Sequence, residues 1–356
     1  AAGLDADLRV LRLTQPMLMT VAFRDGARRV RSAPAILAGV FTLTLLLALP
    51  LGLALRDSIR AHLGDSLAAD TVASGVNADW WDEFLSQADG IGQTFSPSVI
   101  GFAVVLDNLS AVLDNRPQAA ILVSAAAAYL LAWAFLVGGI LDRYARNRPI
   151  RGPAFFAACG TFFFRFLRLG VISWLVYGLL FGALHGWLFG GLYAWLIRDL
   201  TVERTGFLLR VLLYVAFGVV VLFCNIVLDY AKIRAVVEDR RSMIGATVAG
   251  FRFVWRHLAG TSRLYLLNSA VFVVIVAVYA AIAPGAGGAG AEMWFAFLIG
   301  QAYVLARLWV KLLFLATQTA LFQGELAHAG YTAAPSFTPP ESPAVEAIAG
   351  APTSGV

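Results

Sequence analysis

The sequence predicts an all-α integral membrane protein with six transmembrane helices in three pseudo-repeated pairs, together with interfacial amphipathic helices. Its composition is the first observation, since 60% of the 356 residues are hydrophobic and only 14% are charged. A soluble domain carries about 25% charged residues. The second observation is a set of apolar runs that match the roughly 20 residues of helix needed to cross a bilayer. The third is a motif that ends two of these runs.

The apolar runs must form helices, because lipid offers no hydrogen-bond partner to an unpaired backbone group. Predicted spans cover residues 34–55, 119–141, 169–196, 207–228, 264–284 and 293–322. They define a membrane domain over residues 34–329, which follows an amphipathic segment over residues 1–33. The Pro- and Ala-rich residues 330–356 cannot bury a core, so we expect a disordered tail.

The distribution of arginine predicts the orientation. Six basic and three acidic groups occur in residues 1–33, six and one in 142–168, and seven and three in 229–263. The loop over residues 56–118 carries three basic and nine acidic groups. Positive charge concentrates on the cytoplasmic side, so we expect both termini in the cytoplasm and the acidic loop outside. Arginine-, alanine- and glycine-rich usage indicates a bacterium, and therefore its inner (plasma) membrane.

An internal repeat is visible at the ends of two spans. Residues 139–148 read GILDRYARNR and residues 226–234 read IVLDYAKIR. Both place an aspartate at the inner boundary, followed by Tyr-Ala and a cation. The third copy ends differently, because residues 318–325 lack this signature.

Aromatic, arginine-bearing stretches precede the spans at residues 154–168 and 246–258, with a more diverged version at residues 15–31. Their spacing is typical of helices that lie among lipid headgroups. They are either simple anchors or sites for an anionic lipid or a partner's membrane helix.

Taken together, the repeat and the Leu-Asp-Tyr-Ala type of helix end resemble a loose group of bacterial six-span membrane proteins. This group includes the membrane domain attached to some glycerophosphodiester phosphodiesterases. The resemblance covers most of residues 15–325 and implies a fold, but it supplies no residue role. The catalytic phosphodiesterase domain is not part of this sequence.

Arg307 and Lys311 are the leading candidates for a functional site. They lie one turn apart in the last predicted span, and intramembrane cations are costly enough to suggest a function. One interpretation is a site for a lipid or small anion. The alternative is a structural pair with carboxylates or helix-end carbonyls, for which Asp142 and Asp229 lie too near the inner boundary.

Glycines recur every four residues in the third span, at Gly178, Gly182, Gly186 and Gly190. Small residues at this spacing let another helix approach closely. The seam could serve packing inside the same bundle, docking of another subunit or a second copy, or a lipid tail.

Aromatic residues in the acidic loop form a second candidate surface at Trp80, Trp81 and Phe84. Exposed aromatic residues are enriched at binding hot spots, so these three are expected to contact either the outer leaflet or a partner. A further amphipathic helix is expected over residues 97–113.

Catalytic and metal-binding motifs are not found in the sequence. His185 is the one histidine inside a span, and polar packing explains it better than ligation of a haem or pigment. Cys159 and Cys224 are the two cysteines and are interpreted as packing residues. We predict no cofactor, although bound lipids are expected.

The sequence therefore favours a non-enzymatic accessory or scaffold subunit of a larger membrane complex. The alternative is a transporter or binder of a lipid or small anion that uses Arg307 and Lys311. Expected partners are membrane lipids and either other membrane subunits or a second copy of this chain. The net charge of +5 does not indicate nucleic-acid binding, because the arginines flank membrane segments.

Overall fold

The computed structural model describes residues 19–64, 66–75, 77–95, 103–283 and 290–333, with side chains to residue 327. All regular elements in these ranges are helical. Six helices are long and apolar enough to cross a membrane, which confirms the prediction of an all-α, multi-span protein.

The long helices are α2 (Pro34–Leu63), α6 (Ala120–Arg146), α7 (Gly152–Gly178), α9 (Glu203–Val237), α11 (Leu258–Ile282) and α12 (Ala291–Ala333). The shorter ones are α1 (19–31), α3 (Ala68–Ser74), α4 (Ala78–Gln87), α5 (Ala103–Leu113), α8 (Tyr193–Ile197) and α10 (Met243–Arg256). Helix α12 runs past the predicted end of the sixth span. The rest of the predicted tail and residues 1–18 lie outside the described residues.

The third span differs from its prediction. Helix α7 continues through π-helical turns at Leu179–Leu184 and Gly186–Leu192 into α8, so the span is one rod over Gly152–Ile197. The stretch at 154–168 is therefore the first part of this rod and not a separate interfacial helix. No proline interrupts it after its first turn. Helices α10 and α11, by contrast, are separated at His257, whose φ of −116° and ψ of 32° leave the helical region.

The centre of the bundle is formed by α9 and α12. Helix α12 packs against α2, α6, α9 and α11, and α9 packs against α6, α7, α10 and α12. Most buried residues lie in the arginine-rich half, where Tyr144, Tyr230 and Leu312 have no exposed surface. Toward the other end, apolar side chains such as Leu46 and Leu130 are exposed, as expected where lipid is the solvent.

Close helix crossings occur at several glycines, of which Gly26, Gly139 and Gly250 join three different pairs of helices. A Cβ atom would lie 2.6 Å from the Cα of Thr317 at Gly26, 2.6 Å from the Sγ of Cys159 at Gly139, and 3.0 Å from the carbonyl oxygen of Val227 at Gly250. Through these contacts α1 packs on α12, α7 on α6, and α10 on α9. Each amphipathic segment thus lies against the carboxyl-terminal half of a spanning helix, while the threefold repeat itself stays a prediction.

Candidate functional site

Arg307 and Lys311 line a cavity of about 670 Å³ inside the bundle. Both lie on α12, and their four-residue spacing places them on one face of the helix. The cavity walls come from α2, α6, α9, α11 and α12. Arg307 is exposed and makes no hydrogen bond or ion pair with the part of the chain that the structure describes.

Lys311 is held by aromatic rings. Its Nζ donates a hydrogen bond of 3.0 Å to the hydroxyl of Tyr129 and lies 3.6 Å from the ring centroid of Trp133. Within the described residues, no carboxylate lies within ion-pair distance of this ammonium group. Pairing with a carboxylate, one of the two predicted interpretations of Lys311, is therefore not found among the described residues.

Asp229 reaches the same cavity, although the sequence placed it too near the boundary. It accepts a hydrogen bond of 2.8 Å from Lys232 Nζ, and Gln318 Nε2 approaches its other oxygen at 3.5 Å. The three-residue spacing of Asp229 and Lys232 puts both on one face of α9. Asp142, the corresponding aspartate of the first motif, lies outside this cavity and pairs with Arg146 at 2.8 Å.

Neutral polar groups also line the cavity or support its lining residues. Asn225 Nδ2 donates to the hydroxyl of Tyr265 at 2.8 Å, and the hydroxyl of Tyr177 donates to Asn225 Oδ1 at 3.2 Å. Thr44 and Ser269 add hydroxyl groups to the lining. Sequence inspection missed these residues, because each is an ordinary polar residue within an apolar span.

The charges of the lining favour an anion. Lys232, Arg307 and Lys311 face a single carboxylate, Asp229, which leaves a formal excess of two positive charges. In the low dielectric of a membrane interior, unpaired cations attract an anionic group far more strongly than they do in water. Among the described residues, no cluster of three His, Cys, Asp or Glu side chains is placed to hold a metal ion.

The glycine series of the third span faces outward. Gly178, Gly182, Gly186 and Gly190 are exposed, and a Cβ atom built at any of them meets no atom within 4 Å. Packing inside the same bundle, one of the predicted uses, is thus not observed in the described structure. Gly26, Gly139 and Gly250 perform that role instead.

The aromatic residues of the acidic loop are buried, so the prediction that they are exposed contacts is wrong. Trp80 and Trp81 are 5% exposed and Phe84 is 1% exposed. They pack against the end of α2 at Ile59 and Leu63, and Trp80 Nε1 donates to His62 Nδ1 at 3.1 Å. The loop folds over these side chains because three large aromatic residues otherwise leave too much apolar surface in water. The described part of the predicted helix at 97–113 is α5.

His185 and the cysteines occupy packing positions. His185 Nε2 lies 2.8 Å from the carbonyl oxygen of Leu113, and its ring packs near Phe189 and Phe217. Cys159 is buried and Cys224 is partly buried, and both are free thiols.

Comparison with known proteins adds no further constraint. No family model matches the chain, and no curated protein or solved structure matches it. The resemblance to six-span membrane proteins thus stays an expectation, and functional arguments rest on the residues of this chain.

Proposed function

We propose that this protein binds an anionic group, a phosphate or a carboxylate, in the cavity lined by Lys232, Arg307 and Lys311. The group is carried either by a membrane lipid or by a small solute. The observation that carries the proposal is that Lys311 and Arg307 line this cavity and that neither pairs with a carboxylate of the described residues.

Unpaired charge inside a membrane raises the free energy of the folded protein. A cation within the hydrocarbon region is costly, by at least about 2.5–3.5 kcal/mol at the helix centre. The ring faces of Trp133 and Tyr129 offset part of this cost for Lys311, since a desolvated cation–π contact contributes about 2 kcal/mol. An anion that enters the cavity offsets more of it, so binding and stability are coupled.

Calorimetry with purified protein tests the binding. The ligands are inorganic phosphate and short-chain phosphatidylglycerol, and the variants are Lys311→Met and Arg307→Gln. We expect each variant to lower affinity about tenfold or more, as loss of a charged hydrogen bond predicts. Arg198→Gln is the matched control, because Arg198 is 70% exposed and its ion pair within the described residues is with the neighbouring Asp199. If both cavity variants bind like the wild type, the proposal is wrong.

The two ligands separate the two sources of the anionic group. Binding of phosphate alone assigns the site to a small solute, whereas binding of the short-chain lipid alone assigns it to a headgroup. Proteoliposomes loaded with the ligand that binds then distinguish a transporter from a binder. If the wild type releases the ligand from the vesicles and Lys311→Met does not, the protein is a transporter. If the wild type binds the ligand but the vesicles retain it, the protein is a binder.

A second candidate function, an accessory or scaffold subunit, is favoured by the exposed glycine face of the third span. Gly182→Leu and Gly186→Leu add side chains where the chain itself has open space, so they should leave the fold intact. We expect them to reduce co-purification with a partner or with a second tagged copy. Gly52→Leu, in α2 and also facing open space, is the control. If a variant that carries both Gly182→Leu and Gly186→Leu co-purifies with its partner as the wild type does, this role is contradicted.

The proposed setting is the plasma membrane of a bacterium, with the arginine-rich ends of the helices in the cytoplasm. The bias of positive charge supports this orientation. A cysteine introduced by Leu67→Cys, which is 93% exposed, should react with an impermeant maleimide from outside intact cells. Arg241→Cys should react only after lysis, and the reverse pattern would invert the orientation.

A further inference from the structure

A second cavity, separate from the polar one, lies between α2 and α6. It has a volume of about 760 Å³ and apolar walls that include Gly39, Leu43, Leu46, Phe135 and Leu136. Pro149 and Ile150, from the connection between α6 and α7, line it at the arginine-rich end. No lining residue is shared with the cavity of Arg307 and Lys311. We refer to this second cavity as the α2–α6 groove.

A single charged side chain, Arg143, lines the α2–α6 groove. Arg143 is 4% exposed, and no carboxylate in the described residues lies within ion-pair distance of it. Its Nη1 is buried without a hydrogen-bond partner. A buried, unpaired guanidinium is strongly unfavourable, and an anionic acceptor relieves the cost.

The guanidinium of Arg143 is loosely held. Nη2 donates to the hydroxyl and the carbonyl of Ser32, at 3.2 and 3.4 Å. Both distances exceed the usual length of a charge-assisted hydrogen bond, about 2.7–2.9 Å. A small rotation of the side chain can therefore bring Nη1 to an oxygen acceptor in the groove.

The length of the groove matches one leaflet of a bilayer. Ala132 and Arg143 are lining residues eleven positions apart on α6, which corresponds to about 16 Å of helix. Half of the hydrocarbon core of a bilayer measures about 15 Å. An acyl chain whose headgroup lies beside Arg143 therefore ends near the middle of the membrane.

From these observations we infer that the α2–α6 groove binds one phospholipid with a net negative headgroup. Its phosphate accepts hydrogen bonds from Arg143, and one acyl chain lies along Gly39, Leu43 and Phe135. Arg148 and Arg151, exposed beside the groove in the connection to α7, raise the local positive potential. This charge selects an anionic headgroup over a zwitterionic one.

The experiment uses the full chain in nanodiscs of equal parts phosphatidylglycerol and phosphatidylcholine. Mild detergent then removes loosely bound lipid, and native mass spectrometry counts what is retained. Gly39→Leu fills the groove without a clash, because a Cβ atom at Gly39 meets nothing within 4 Å. Gly52→Leu is the matched control, since it lies in the same helix, faces open space and is not part of the groove lining.

With the polar cavity disabled by Lys311→Met, we expect the otherwise unaltered chain and Gly52→Leu to retain one phosphatidylglycerol per chain in preference to phosphatidylcholine. Gly39→Leu should reduce that retention about tenfold or more. Arg143→Gln should abolish the preference for phosphatidylglycerol, and Arg143→Lys should keep part of it. Lys311→Met should leave this lipid in place, which separates the groove from the polar cavity. Equal retention of the two lipids by the chain with Lys311→Met alone, or unchanged retention when Gly39→Leu is added, overturns the inference.

Discussion

The ammonium group of Lys311 lies 3.6 Å from the ring centroid of Trp133, with the hydroxyl of Tyr129 at 3.0 Å. The ring faces stabilise the cation through their quadrupoles without cancelling its charge. A carboxylate partner would have neutralised it. This arrangement therefore places an amino group without a carboxylate partner inside an apolar bundle, where it can donate to a ligand.

Removal of the Trp133 ring should destabilise the folded state. We expect Trp133→Leu to lower the midpoint of thermal unfolding in detergent, because Lys311 loses a desolvated contact of about 2 kcal/mol. Trp174→Leu is the control, since Trp174 is 73% exposed. Equal melting temperatures for the two variants would show that the ring contributes little to holding the cation.

Removal of the single carboxylate of the cavity should strengthen anion binding. Asp229→Asn keeps the size of the side chain but ends its competition for Lys232, so we expect affinity for inorganic phosphate to rise about tenfold, or about 1.4 kcal/mol. Asp142→Asn removes the same charge beside Arg146, outside the cavity. Calorimetry should find no change in that control. A similar rise in both variants would point to long-range surface charge instead.

Two of the four charged residues that line the polar cavity were predictable from the sequence. Arg307 and Lys311 are conspicuous, because a cation in an apolar run breaks the pattern of a lipid-facing helix. Whether Asp229 and Lys232 lie beside them depends on how far α9 is displaced along its axis relative to α12. Sequence spacing within one helix does not determine that displacement, and so Asp229 was wrongly placed out of reach.

The crossing of α10 over α9 should not tolerate a larger side chain. At Gly250 a Cβ atom would lie 3.0 Å from the carbonyl oxygen of Val227 and 3.1 Å from the backbone nitrogen of Ala231. Because these are backbone atoms, relief requires the helices to move apart, at a cost of about 1–3 kcal/mol. Gly250→Val should lower the unfolding midpoint, whereas Gly260→Val, which faces open space, should have a much smaller effect.

The aromatic cluster of the acidic loop should control the local stability of that loop. We expect Phe84→Ala to cost about 3–5 kcal/mol and to expose the loop to protease while the membrane helices stay intact. Leu67→Ala serves as the control, because Leu67 is 93% exposed. Identical cleavage rates for wild type and Phe84→Ala would argue that the cluster does not hold the loop together.

The stability that the connection after α9 contributes should fall in acid. Arg165 Nη1 donates a hydrogen bond of 2.6 Å to Asp239, which lowers the pKa of that carboxyl below its ordinary value of 3.8. A lowered pKa in the folded state means that this contribution to stability is complete above about pH 4 and is lost as the pH falls through the lowered value. Melting curves of wild type and Asp239→Asn should therefore differ at neutral pH and converge in acid. A constant difference would contradict the ion pair.

The spanning helices were predicted well, because their length is imposed by the membrane itself. The ends of these helices were predicted less well, because tertiary contacts determine where each helix stops. Helix α2 continues to Leu63 because Ile59 and Leu63 pack against the loop cluster. The glycine spacing of the third span was conspicuous in sequence, yet the close crossings use isolated glycines such as Gly26, which no spacing rule identifies.

The contact between Gly26 and Thr317 has a consequence for biosynthesis. Helix α1 leaves the ribosome before the six spanning helices, but the surface that Gly26 packs on belongs to α12. Arg29 extends the same junction, because its Nη1 donates to Gln323 at 2.7 Å and to the carbonyl of Tyr144 at 2.8 Å. Until α12 has been inserted, α1 lacks the contacts of Gly26 with Thr317 and of Arg29 with Gln323. Helix α1 is therefore made before the six spanning helices but reaches its final place only after α12, and a chain truncated before α12 exposes it to quality control.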